Sequence, residues 1–174
     1  MTARTDSLAD LHLVLVGLTG SGKTTVGRVA AERLHRRFID TDAAIEARTG
    51  RSVRAIFAED GEPAFRDLET EVLRDSLAET EPVVIAAAGG VVVRDENRRL
   101  LSAAAARVVW LCADPVVVAD RVRSGGHRPL LDEDPDAKLR SMWAVREPLY
   151  REVADAIVGV EGRSIAEVVE AVLR

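Results

Sequence analysis

The segment "LHLVLVGLTGSGKTTVGRVAAERLHR", residues 11–36, constrains the fold more than any other part of the chain. Its first six residues form an apolar run that stops at Gly17, the pattern of a buried strand. Gly17-x-x-x-x-Gly22-Lys23-Thr24 then matches the Walker A pattern in full. Behind it, apolar residues recur at helical spacing. A strand, a glycine-rich loop and a helix in that order make the first unit of an α/β fold. The loop turns its backbone N–H groups inward, and the helix adds its positive end, so together they hold phosphate. Gly20, Ser21, Gly22, Lys23, Thr24 and Thr25 are the candidate nucleotide-binding residues. Lys23 would neutralise β and γ phosphate oxygens, and the Thr24 hydroxyl would ligate Mg²⁺. An ATP or GTP site follows; the phosphate acceptor does not.

The rest of the chain repeats the alternation. "RFID", "PVVIAAA", "ARVVWLCA" and "DAIVGV" read as four further strands. Helical patterns lie between them at 41–50, 52–60, 62–79, 94–104, 114–124 and 137–154, and a last one runs over 164–174. Pro63 is tolerated in the first turn of its helix. Strands alternating with helices predict an α/β, three-layer architecture: a parallel sheet with helices on both faces. In such a sheet the chemistry sits beyond the carboxyl ends of the strands. A chain of 174 residues suits one domain, 1–174. Within it lie a phosphate-loop unit at 10–36, a region at 38–80 and a stretch within 124–136, "GGHRPLLDEDPD", that reads as a mobile loop.

Composition removes other classes. The net charge of −5 and aromatic content of 3% argue against a nucleic-acid partner, which favours a basic face and stacking platforms. No apolar run is long enough to span a membrane. The opening "MTARTDSLAD" lacks the apolar core of a signal peptide, and one cysteine, Cys112, makes no internal disulfide. A cytoplasmic monomer with an inert thiol in a buried strand is the expectation. His12, His35 and His127 are dispersed, with no zinc-ligand spacing.

At the end of the second strand, "FIDTD" carries Asp40 and Asp42 two residues apart. One carboxylate can hold Mg²⁺ through water while the other takes or orients the proton of an attacking hydroxyl. The plainer reading is that Asp40 or Thr41 caps the next helix.

The combination of this "DTD", "IE" at Ile45 and Glu46, "IFAEDGEPAFRDLE", "AGGVV", "RPLL" at 128–131 and "REPLY" at 146–150 resembles the shikimate kinases. The likeness runs through most of the chain. The resemblance implies a kinase fold related to nucleoside monophosphate kinases, with five parallel strands in the order 2-3-1-4-5 and a mobile lid. It implies ATP, Mg²⁺ and transfer of the γ-phosphate to the 3-hydroxyl of shikimate, a step of aromatic amino-acid biosynthesis. It assigns Lys23, Asp42 and Arg128 to catalysis, and Arg123 and Arg128 to the nucleotide. Asp42, Arg66, Gly89, Gly90 and Arg146 fall to the substrate, and Thr24 and Asp40 to the metal. Arginine suits the Arg66 and Arg146 positions because its planar fork meets a carboxylate in two places. Taken singly, Arg66 would as readily pair with Glu62 or Asp67. Ala88 stands where the family usually has a glycine, so either the turn accepts a side chain at negative φ or the pocket has drifted toward another ring or polyol. Two alternatives stay open: a kinase of another carboxylate-bearing polyol or cyclitol, such as gluconate, and an ATP-binding module without transfer.

Overall fold

The structure, a computed structural model, describes residues 8–124 and 135–174, with side chains over 8–119 and 136–174. Five strands, β1 (His12–Val16), β2 (Phe38–Asp40), β3 (Val84–Ala86), β4 (Ala106–Cys112) and β5 (Ala156–Gly159), form one parallel sheet in the order β2-β3-β1-β4-β5. The expected order 2-3-1-4-5 is the one observed.

Eight α-helices accompany it among the described residues, after a short 3-10 turn at Leu8–Asp10. They are α1 (Lys23–Leu34), α2 (Thr41–Thr49), α3 (Val53–Glu59), α4 (Gly61–Leu77), α5 (Asp95–Ala103), α6 (Pro115–Ser124), α7 (Pro135–Val153) and α8 (Ile165–Leu173). Their starts follow from local chemistry. Ser52 accepts the Ala55 N–H, and Glu46 accepts the N–H of Val53, so two side chains cap α3. Ser164 and Glu167 form a reciprocal capping box on α8.

The period-2 alternation of β1 divides the core. Leu13 and Leu15 point to one face, packed with Val26 and Ala30 of α1 and Val168, Val169 and Val172 of α8. Val14 and Val16 point to the other, with Leu73 of α4, Leu101 of α5, Trp110 of β4 and Tyr150 of α7. Each such buried side chain contributes about 1.5–3 kcal/mol over exposure. Ile45, Ile56, Phe65 and Val72 make a smaller core that binds α2, α3 and α4 into one flank. Trp143 packs on Trp110 with ring centroids 5.7 Å apart, so both tryptophans are core residues as their positions suggest.

Cys112 departs from expectation. As the last residue of β4 it is half-buried against the core rather than enclosed in it, and burial pushes its thiol above the ordinary range.

All the parallel strands end at the same edge. The turns after β1, β2, β3 and β5 therefore meet there, and that edge carries the site.

Candidate functional site

The loop after β1 is shaped by backbone rather than by side chains. Gly22 caps α1 at φ 96°, and nothing lies within 4 Å of the position a Cβ would take. The left-handed conformation alone calls for glycine here. No side chain caps α1 and no acid stands in its first turn, so its positive end faces the cavity uncovered. Lys23 is 8% exposed, and its ammonium donates to the carbonyls of Gly17 and Leu18, each at 2.8 Å. The hydroxyl of Ser21 is buried and meets no hydrogen-bond partner among the described residues. A cavity of about 450 Å³ opens above this loop, bounded by Gly20–Val26 on one side and Asp40, Asp42 and Gly89 on the other.

Asp40 caps the helix, the plainer of the two readings, and also reaches the phosphate loop. Its Oδ1 accepts the N–H groups of Asp42 and Ala43, at 3.1 and 3.3 Å, and so caps α2. Its Oδ2 accepts the Thr24 hydroxyl at 2.7 Å. The cap fixes the carboxylate, and the fixed carboxylate reaches the phosphate loop. Asp42, in the first turn of α2, lines the same cavity. Thr41 between them is buried, and its Oγ1 accepts the Ala88 N–H at 2.9 Å, tying the end of β2 to the turn after β3.

That turn forms the second wall. Arg66 of α4 is 5% exposed and donates to Glu62 at 2.9 Å and to both oxygens of Glu69 at 2.9 Å. Of the two acids expected to compete for Arg66, Glu62 pairs with it. Asp67 instead takes Arg94 at 2.7 Å, because it lies one residue on and faces α5. Burial works against charge on Arg66, but Glu69 and Glu62 outweigh it and hold its pKa above the usual value. Burial pushes the Glu69 carboxyl up to about 7 against the pull of Arg66. Gly90 lies against this guanidinium: a Cβ there would stand 2.0 Å from Arg66 Nη1 and 2.4 Å from Cζ. Arg146 of α7, 8% exposed, donates to the Gly89 carbonyl at 3.2 Å. Two guanidinium groups therefore flank the adjacent glycines 89 and 90, beside Asp42 and across from the phosphate loop.

The shikimate kinase family model matches residues 19–174. The chain belongs to the shikimate kinase family. It is 45% identical over 166 residues to the shikimate kinase of Symbiobacterium thermophilum, covering 94% of both chains. Its structure superposes on shikimate kinase from Acinetobacter baumannii, solved in complex with shikimate, with a TM-score of 0.90. That pair is 37% identical, over 95% of this chain and 93% of the other. A gluconokinase from Sinorhizobium meliloti has a TM-score of 0.62 at 24% identity, covering 95% of this chain and 90% of that one, which is a likeness of fold alone.

Within this family the departure at Ala88 is benign for the backbone. His35 is the only non-glycine at positive φ among the described residues, so Ala88 sits at an ordinary negative φ. Its methyl group is buried, and its N–H is held by Thr41. Of the remaining assignments, Arg128, the Arg123 side chain and the lid over 124–136 lie outside the described residues apart from the end of α6 and the start of α7.

Two groups of residues escaped the sequence reading. Val160 and Arg163, from the turn between β5 and α8, and Ile165, which opens α8, close the cavity on its far side. Nothing local marks "VEGRSI" as part of a site, and only the sheet order brings it beside the phosphate loop. Tyr150 and Glu69 are the others: each stands in a quoted motif, yet the contact that matters lies across the fold.

Proposed function

We propose that this protein transfers the γ-phosphate of ATP to the 3-hydroxyl of shikimate, giving shikimate 3-phosphate and ADP. The observation that carries this reading is the placing of Arg66 and Arg146 against Gly90 and Gly89, of which Gly89 lines the same cavity as Asp42 and the phosphate loop. Shikimate is a small ring with a carboxylate at one end and hydroxyls at the other, and such a site suits it. The two guanidinium groups take the carboxylate, while Asp42 and the Gly89 and Gly90 backbone take the hydroxyls. Asp42 then accepts or orients the 3-hydroxyl proton as the oxygen attacks phosphorus, the new O–P bond forms and ADP leaves.

Gly20–Thr25 cradle the ATP phosphates. The bare helix end and the orphaned Ser21 hydroxyl support that reading. Thr24 and Asp40 fit Mg²⁺: the hydroxyl donates its hydrogen bond to a fixed carboxylate and keeps its lone pairs for a cation. The ion, when bound, offsets charge on the β and γ oxygens. Lys23 and Arg128 would add positive charge to the transferring group, and Arg123 is assigned to the adenine by the family likeness alone. The loop over 124–136 closes over ATP to exclude water. No described helix is long and apolar enough to cross a membrane. The reading takes the protein as a cytoplasmic monomer with no nucleic-acid partner.

Asp42→Asn tests the chemistry. It should lower kcat by about 10²–10⁴-fold with the ATP KM little changed. An unaltered kcat in steady-state assays would remove Asp42 from the reaction.

A further inference from the structure

The Gly89 carbonyl receives a second donor that neither the nucleotide nor the acceptor accounts for. Tyr150, fully buried in α7, donates its hydroxyl to that oxygen at 2.5 Å. Arg146 donates to the same oxygen, which brings its guanidinium beside the phenol. The two residues are four apart, so they share one face of α7, one turn from each other. The phenol ring is itself held, stacked on Trp110 with centroids 5.7 Å apart and planes 26° from parallel. Tyr150 is thus a rigid post whose tip meets both Arg146 and the turn after β3.

The geometry of a peptide gives this contact a consequence. In a trans peptide the C=O and the next N–H point in opposite directions. With the Gly89 carbonyl drawn toward α7, the Gly90 N–H faces the opposite side of the turn. Thr41 holds the same turn by the Ala88 N–H, and Arg66 fills the space beside Gly90. The Gly89–Gly90 peptide can rotate freely only if the carbonyl is released.

We propose that Tyr150 is a positioning residue for the acceptor: its hydroxyl fixes the Gly89–Gly90 peptide and the Arg146 guanidinium in the orientation that receives the substrate. Its role is exerted through Gly89 and Arg146, so the inference rests on the acceptor-site reading given above. Burial holds the phenol far above its ordinary pKa, so the donor proton stays in place throughout the working pH range.

Tyr150→Phe removes the hydroxyl and keeps the stacked ring. In steady-state assays with ATP and shikimate it should raise the shikimate KM about tenfold, the loss of one buried hydrogen bond, with the ATP KM within about twofold. In an Arg146→Ala background the same change should still raise the shikimate KM, because the Gly89 carbonyl then loses its remaining side-chain donor. A Tyr150→Phe protein with the parent shikimate KM, or with both KM values raised alike, overturns the inference. If Arg146→Ala also leaves the shikimate KM untouched, the acceptor-site reading falls with it; if Arg146→Ala raises it and Tyr150→Phe does not, only the role of Tyr150 falls.

Discussion

Two glycine turns face each other across the cavity, after β1 and after β3, and they use glycine for different reasons. Gly22 needs it for conformation: φ is 96°, and the space around it is empty. Gly90 needs it for room: its φ is ordinary, but the Arg66 guanidinium occupies the place of a side chain. The first turn is organised by its own backbone and the helix behind it. The second is organised by side chains from α2, α4 and α7 that converge on it. A phosphate is met by a local structure, which one short stretch of sequence encodes. An asymmetric small acid needs groups fixed at several distances, which only the assembled fold supplies.

Changes on the two sides should separate cleanly. Lys23→Ala should give the largest effect, a loss of at least about 10³-fold in kcat, because phosphate charge is left unbalanced where water is excluded. A residual rate near that of the parent would mean the first turn is not the phosphate site. Gly90→Ala comes next. Its methyl group displaces Arg66, so kcat/KM for shikimate should drop about a hundredfold while ATP affinity, read by equilibrium titration, is kept. The Arg66→Ala, Gly90→Ala double variant should be no worse than Arg66→Ala alone, since the methyl then meets open space. Additive losses would show that Gly90 acts through something other than Arg66.

The smallest effect is in stability. Glu69 has a folded pKa of about 7 against an ordinary 4.5, so the folded state holds its proton more tightly. Stability from this group is complete below pH 4.5 and declines as pH rises toward 7, by up to about 3 kcal/mol. Urea unfolding should therefore lose stability across that window in the parent and lose less in Glu69→Gln. Parallel curves for the two proteins would show that Glu69 is ionised alike in both states.

How far the sequence reaches follows the same division. The sheet, its helices and the phosphate loop were legible because strand runs, helical spacing and the Walker A pattern are each local. Asp40 was legible as a cap because capping is local, whereas its bond to Thr24, 16 positions away, needed the fold. The partners of Arg66 were only half legible: Glu62 is a turn away on α4, but Asp67 was an equal candidate until α5 brought Arg94 to it. Tyr150 and Gly89 are separated by 61 positions, and no periodicity links them. Arg163 joins the cavity only because β5, one strand beyond β1 across β4, runs parallel to it and ends on the same side of the sheet.

The central claim is that the Arg66 and Arg146 wall selects shikimate for the phosphate that the first turn holds. ADP release by the purified protein with Mg-ATP tests it most directly, comparing shikimate, gluconate, AMP and no acceptor. The account predicts rapid release with shikimate and background rates with the other three. Turnover with gluconate or AMP in place of shikimate, or none above background with any acceptor, would contradict it.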